Sequence, residues 1–379
     1  MKAVQIARYE DAPTLQDIEQ PSPGPGEVLV RVAGAATNPL DLKITAGYMH
    51  EFFPVDFPYT LGTDVSGTIT AVGGDVEGWA IGDQVVARLD PSAGGAYAEF
   101  AMISSEQLVP APTSIPLFLA SGAVTAAATA WQALTEIADL HAGQKVLIHA
   151  GAGGVGSFAV QLARFLDAHV ITTASGAGLQ IARDLGADDV IDHTSGPFGS
   201  QLADVDVVID TIGGAVEEQS LDVLRTGGLL VAVPMPPDAE RASARGLRAE
   251  FLFHASDPQR LATVVGMLDG NIRVLLDRTV DLEQAPQRWH TSQTATRKAR
   301  SSLSRTPPEP VGPGITAIRD QLEVTVEDWT REHRWSHTAA VISAAGIASN
   351  LPPLYYHAPW RPRRRRRSAA PAPASYSPA

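Results

Sequence analysis

The sequence predicts an α/β protein in two parts: a β-rich domain of short strands, then a doubly wound parallel sheet flanked by helices. Three observations predict it. The chain has 379 residues, too long for one compact core. Residues 1 to about 115 hold short β-type runs bounded by glycine and proline. From about Ser121 the pattern becomes apolar strands alternating with helices.

In the first part, Pro21-Ser22-Pro23-Gly24-Pro25-Gly26 is a turn that opens a strand over residues 28–32. Residues 67–74 and 82–87 read as further strands bounded by glycine, a spacing that suggests a small β-barrel-like domain. In the second part, strands are predicted over 145–149, 169–173, 188–191, 205–210 and 229–233, with helices over 155–167 and 179–185.

Hydrophobic residues make up 44% and charged residues 19%, the range of a soluble globular protein. The net charge of -13 argues against nucleic-acid binding through a broad basic surface. The absence of cysteine excludes disulfides and thiolate metal sites. The N-terminal run reaches Arg8, Glu10 and Asp11 with no apolar signal core, and the apolar stretch 120–138 is interrupted by Glu136. The expectation is a cytoplasmic protein with no membrane partner.

Gly151-Ala152-Gly153-Gly154-Val155-Gly156 has the G-x-G-x-x-G form between a predicted strand and a predicted helix. On this pattern Gly151 allows a tight turn, Gly153 a close approach of backbone to a pyrophosphate, and Gly156 close helix–sheet packing; the helix N-terminus favours the phosphates. The next strand ends Thr172-Thr173-Ala174-Ser175-Gly176, with no carboxylate to hold a ribose 2′-hydroxyl or repel a 2′-phosphate. Ser175 can donate to that phosphate. Arg183 is either near it or a solvated helix residue. NADPH is therefore the expected cofactor, with NADH still possible.

Five ordered segments carry a family resemblance: Asn38-Pro39-Leu40-Asp41, Leu61 through Gly67, Gly82-Asp83-Gln84-Val85, Gly94 through Glu99, and the glycine loop 151–156. Over residues 1 to 287 the chain resembles the zinc-free quinone oxidoreductases of the medium-chain dehydrogenase/reductase type, the branch that includes zeta-crystallin. The resemblance implies a GroES-like β-rich catalytic domain over 1–120, a Rossmann NADP-binding domain over 121–253 and a return to the catalytic domain over 254–287. Zinc-dependent relatives carry Cys where this chain has Asn38 and Gly-His-Glu where it has Gly62-Thr63-Asp64. No zinc is therefore expected, and a quinone or enone is the expected acceptor, since it delocalises charge itself.

By the same resemblance, Asn38 and Tyr48 line the pocket beside the nicotinamide. Asn38 would bond the acceptor carbonyl; Tyr48 would either donate a proton or only shape the wall. Asp41 orders the turn and Asp64 is structural. Thr125, Thr211, Ile212, Gly213, Phe251 and Phe253 would join the glycine-loop residues Gly151, Gly153, Gly154, Val155 and Gly156 and Ser175 around the cofactor. A lysine that many relatives place near Gly178 is missing, which lowers the expected NADPH affinity. His149 reads as a packed, hydrogen-bonded histidine.

The family ends in a Gly-His-x-x-Gly-Lys-Val-Val segment and a final strand, whereas this chain runs Gln287-Arg288-Trp289-His290-Thr291 and on to the basic run at Arg363–Arg367. If each codon is started at the third base of the old one, degenerate choices recover Ala-Asp-Gly-His-Ala-x-Gly-Lys-Val. Residues 288–379 are thus expected to be either a frame-shifted product or a real extension whose arginines meet an acidic partner or nucleic acid, with a disordered tail from Ser368. A frame slip would leave a strand missing and an unpaired edge. The expected activity is NADPH-dependent reduction of a quinone or enone, with homodimerisation possible. The rival readings are a trans-acting enoyl reductase of polyketide or fatty-acyl synthesis, and a non-catalytic nucleotide- or RNA-binding protein.

Overall fold

A computed structural model of the chain describes residues 1–287 and 289, together with the backbone of 340–344. The first domain begins with β1 (Lys2–Ile6), β2 (Thr14–Asp17), β3 (Glu27–Thr37), helix α1 (Pro39–Thr45), β4 (Tyr59–Thr60), β5 (Asp64–Val72), β6 (Gln84–Arg88), β7 (Phe100–Ser104) and β8 (Val109–Pro110). The spine is β3, which pairs antiparallel with both β5 and β7. Register shifts along β3–β5 bend the pair, which lets so short a sheet curl around one apolar core of Val4, Val30, Val65, Ile69 and Tyr97.

Two short helices follow, α2 (Leu117–Ala120) and α3 (Val124–Trp131), the latter continuing as a π-helical segment Gln132–Ile137. This run is long and apolar enough to span a membrane by composition, but 72% of its apolar window is buried inside the protein. Its alanines pack against the helix of the glycine loop in the largest apolar cluster.

The second domain contains β9 (Lys145–Ile148), α4 (Gly154–Phe165), β10 (His169–Ala174), α5 (Gly178–Asp184), β11 (Asp189–Asp192), β12 (Val205–Asp210), α6 (Ala215–Val223), β13 (Leu224–Ala232), α7 (Ala239–Ala244), β14 (Arg248–Phe251) and α8 (Pro258–Met267). Among the described residues its sheet has the order β11-β10-β9-β12-β13-β14, all parallel. Val146, Leu147, Ile148, Val208 and Leu230 are fully buried because helices cover both faces. This is the predicted Rossmann sheet. The strand order reverses between β9 and β12, so a crevice opens at their carboxyl ends.

After α8 the chain returns to the first domain as β15 (Leu276–Asp281), and β16 (Ala340–Ala344) lies between β15 and β3. It runs antiparallel to β15 and parallel to β3, with Ala340 opposite Gly34 and Ser343 opposite Thr37. A frame slip would leave a strand missing and its neighbour with an unpaired edge; here four residues of the atypical segment pair with β3. A β-branched run, Ala-Val-Ile-Ser-Ala, meets the backbone requirement of the slot. The remaining calls on 288–379, including the basic run and the tail, lie outside the described residues.

Candidate active site

The crevice of the parallel sheet is built from the ends of three strands. After β9 the chain turns at Ala150, whose φ is 54°, so the left-handed residue is an alanine rather than the glycine expected there. Gly151 has a different constraint: a Cβ on it would lie 2.1 Å from Thr172 Oγ1. Gly156 is needed because a Cβ would lie 2.0 Å from the Ala150 carbonyl oxygen. Gly153, whose N–H donates to the Ala150 carbonyl at 2.8 Å, is the N-cap of α4, and Gly154 and Val155 open its first turn, where N–H groups have no intrahelical partners. This bare helix end beside two cradle glycines fits a dinucleotide pyrophosphate.

His149 sits under the loop, 1% exposed. Ser220 donates its hydroxyl to the Val216 carbonyl at 2.6 Å, so its oxygen accepts from His149 Nε2 at 2.9 Å. Nδ1 then accepts from Thr173 Oγ1 at 3.1 Å, which itself accepts the Ala150 N–H at 3.2 Å. Burial, with His193 nearby, holds the His149 pKa down at about 3. It is a neutral strut, as the sequence suggested.

Thr211 donates to the His149 carbonyl at 2.8 Å, tying the β12 loop to the glycine loop. The Ile212 and Gly213 N–H groups donate to Asp210 Oδ1 at 2.8 and 2.9 Å. Ser175 follows β10 at the crevice rim, half-buried, and its carbonyl accepts the Gly178 N–H. The residues named for the cofactor on β9, β10 and β12 therefore lie along one sheet end.

On the facing domain, Asn38 caps α1 with Pro39 at its first position. Asp41 Oδ2 accepts the Asn38 backbone N–H at 2.7 Å, which is the turn-ordering role expected of it. Asn38 Nδ2 donates to Asp64 Oδ2 at 2.9 Å. Asp64 also accepts the Thr125 N–H at 2.8 Å and the Thr125 hydroxyl at 2.6 Å. Arg88, paired opposite Asp64 across β5 and β6, donates through Nε to Thr125 Oγ1 at 3.1 Å and through Nη1 to Ser256 Oγ at 2.6 Å. Sequence reasoning missed Arg88. Its signal was a charge ending an apolar strand, but its partner is fixed only by strand register.

The two carboxyls flanking Asn38 differ. Burial raises the pKa of both. Asp64 has three donors and the Arg88 charge to offset this. For Asp41, burial outweighs the Asn38 and Asp41 backbone N–H groups and the Arg88 charge, Asp64 repels it and its buried Oδ1 has no partner, so its pKa rises to about 8.

Aromatic rings bridge the domains. Phe253, just past β14, lies 6.0 Å from Phe52 and stacks on Phe53 at 6.0 Å and 21°. Phe251 tilts against Phe253 at 6.4 Å. Tyr48, in the turn after α1, is 65% exposed. Lys43 Nζ donates across the cleft to the Pro234 carbonyl at 3.3 Å. Asn38, Thr125 and the Phe251–Phe253 segment are thus brought to one interdomain cleft.

Residues 24–113 match the alcohol dehydrogenase GroES-like domain, and residues 154–256 match the zinc-binding dehydrogenase domain. Among curated proteins the chain is 32% identical over 324 residues to the mitochondrial NAD(P)H oxidoreductase RTN4IP1 of Danio rerio, covering 74% of this chain and 84% of that one. It is 38% identical over 210 residues to the chloroplastic quinone-oxidoreductase QR1 of Triphysaria versicolor, covering 53% and 64%. The quinone oxidoreductase of Coxiella burnetii superposes with a TM-score of 0.72 at 32% identity, covering 78% of this chain and 96% of that one.

This chain belongs to the quinone oxidoreductase family of medium-chain dehydrogenases/reductases. It is an oxidoreductase of the NAD(P)H-dependent kind. The β-rich domain is the GroES-like half of this oxidoreductase, and the parallel sheet its Rossmann half. Among the described residues no group of three or more His, Cys, Asp or Glu is placed to hold a metal ion.

Proposed function

We propose that this oxidoreductase reduces a quinone or an α,β-unsaturated carbonyl at the expense of NADPH, by direct hydride transfer in the interdomain cleft. The observation that carries the reading is the seam between the halves: the rings of Phe52 and Phe53 meet Phe253 across it as an aromatic wall, and Asn38, on the same domain as Phe52 and Phe53, is held by Asp64. Such a wall suits a flat conjugated acceptor. Gly151, Gly153, Gly154, Val155 and Gly156 would hold the pyrophosphate, and Thr211, Ile212, Gly213 and Thr125 would border the nicotinamide with Phe251 and Phe253. Ser175, in a strand end without a carboxylate, favours the 2′-phosphate of NADPH over NADH.

The reduced nicotinamide, when bound, supplies the hydride. The chain's own part is orientation, exclusion of water and charge stabilisation. Asn38 would donate from Nδ2 to the acceptor oxygen as it gains charge. Tyr48 would pass its phenolic proton to that oxygen and recover one from water, which its exposure permits. No zinc is assigned to this site.

The test is loss of the reduced-nicotinamide absorbance with a benzoquinone, a cyclic enone and a simple aldehyde. Turnover of quinone or enone with NADPH, and none of the aldehyde, is the expected result. Turnover of the aldehyde alone would overturn the reading. A 33% identity over 277 residues to part of the polyketide synthase protein NorB of Streptomyces orinoci favours a second reading, an enoyl-thioester reductase. Reduction of an N-acetylcysteamine enoyl thioester faster than any quinone would select it.

A further inference from the structure

We propose that Asp64 and Arg88 are positioning residues: Arg88, acting through the Thr125 hydroxyl, fixes the Asp64 carboxylate, which in turn fixes the Asn38 carboxamide so that its second Nδ2 proton faces the acceptor oxygen. This rests on the cleft reading above. Asp64 is 1% exposed and Arg88 7%, so both were desolvated at a cost that the Thr125 hydroxyl bridging them and the attraction of their charges must offset. Three donors converge on Asp64: Asn38 Nδ2, the Thr125 N–H and the Thr125 hydroxyl. That donor set matches a carboxylate and leaves no acceptor for a carboxyl proton. The Thr125 hydroxyl, having given its proton to Asp64, must accept from Arg88 Nε, which locks the order of the chain. Asn38 Nδ2 has two protons; Asp64 takes one, and among the described residues nothing takes the other. The carboxamide cannot flip without turning its oxygen onto the Asp64 carboxylate.

Arg88 is reached from outside. A cavity of about 250 Å³ is lined by Arg88, Glu106, Gln107, His254 and Ser256. The charged and titratable groups around the pair are Asp41 from α1, Asp90 from the loop after β6, Tyr97 from the loop before β7 and His254 from the segment after β14. None of these brings a positive charge at neutral pH, because His254 is held down at about 3 by burial and by the Arg88 and Arg260 charges.

The experiment is a double-mutant cycle on quinone reduction, with NADPH affinity read separately by nicotinamide fluorescence. Asn38→Ala, Asp64→Asn and Asn38→Ala/Asp64→Asn are compared with the unmodified protein. Asp64→Asn is expected to lower kcat by about a hundredfold while leaving the NADPH Kd within about twofold, the cost of one misplaced charge-stabilising donor. In the Asn38→Ala background the same change is expected to cost less than about twofold, because the residue it positions is gone. Arg88→Ala is expected to lose activity, Arg88→Lys to regain part of it, and millimolar guanidinium to restore Arg88→Ala where equal sodium chloride does not. Additive losses in the cycle, or full activity in Asp64→Asn, would overturn the proposal. If a variant unfolds, the guanidinium rescue and Arg88→Lys still decide it. Absence of turnover in the unmodified protein would instead strike the cleft reading, and is told apart by that control.

Discussion

At the residue scale, the sharpest contrast is between Asp41 and His149, two buried groups with opposite pH consequences. Asp41 has a folded pKa of about 8 against an ordinary 3.8. Its neutral form stabilises the fold fully below 3.8, and that contribution is lost as pH rises through 8. Asp41→Asn keeps an acceptor for the Asn38 N–H and removes the titration. Between pH 6.5 and pH 8, above the range in which the depressed histidines change stability, we expect the thermal midpoint of Asp41→Asn to fall by less than that of the unmodified protein. A parallel decline in both proteins would refute this. His149 works the other way: its pKa falls from 6.5 to about 3, so its contribution is present above 6.5 and lost on acidification. Gly156→Ala is expected to cost ~1–3 kcal/mol in urea unfolding, since its Cβ would strike a backbone oxygen that cannot swing away.

At the element scale, the aromatic bridge is the feature that connects fold to chemistry. Phe53→Leu removes the ring stacked on Phe253 yet keeps an apolar side chain. It is expected to raise KM for a naphthoquinone about threefold to tenfold, through a loss on the order of 1 kcal/mol, and to leave NADPH affinity unchanged. A shift in NADPH affinity of the same size would show that the ring contacts cofactor rather than acceptor. The elements themselves were unevenly legible. Strands β9, β10 and β12 were read because parallel strands buried on both faces are continuous apolar runs, and the glycine loop because its punctuation is local. Helix α1 was not read as a helix, since its seven residues make barely two turns and its cap bonds are to Asp41 and Asp64. Arg88 was invisible as a site residue because only register sets it opposite Asp64. The turn at Ala150 was assigned to Gly151, since glycine is the default for positive φ, whereas Gly151 is fixed by the Thr172 side chain.

At the scale of the whole molecule, the polar links between the two halves include Asp64 and Arg88 to Thr125, Arg88 to Ser256, Lys43 to Pro234 and the Thr113 and Ser114 N–H groups to Asp269. The aromatic contacts lie along the same seam. The fold of each half was legible from its period, but their mutual placement was not, because these links join residues far apart in sequence. The first domain is completed only by β16, whose backbone pairs on both sides. Ile342→Pro deletes an N–H from that ladder and is expected to lower the midpoint of thermal unfolding by several degrees, roughly the effect of losing ~2–3 kcal/mol. An unchanged midpoint would mean that the pairing contributes nothing to stability.

That last strand also sets a timetable. β3 leaves the ribosome before the Rossmann domain, and β16, which flanks it on one side, is made only after that entire domain. During synthesis the nascent first domain therefore waits with a bare edge, able to pair with any passing strand, while the second domain folds as a unit downstream of it. The closing of that edge is a slow, long-range event by its topology. The yield of native chain is therefore expected to depend on translation speed and chaperone supply as well as on the stability of the finished protein.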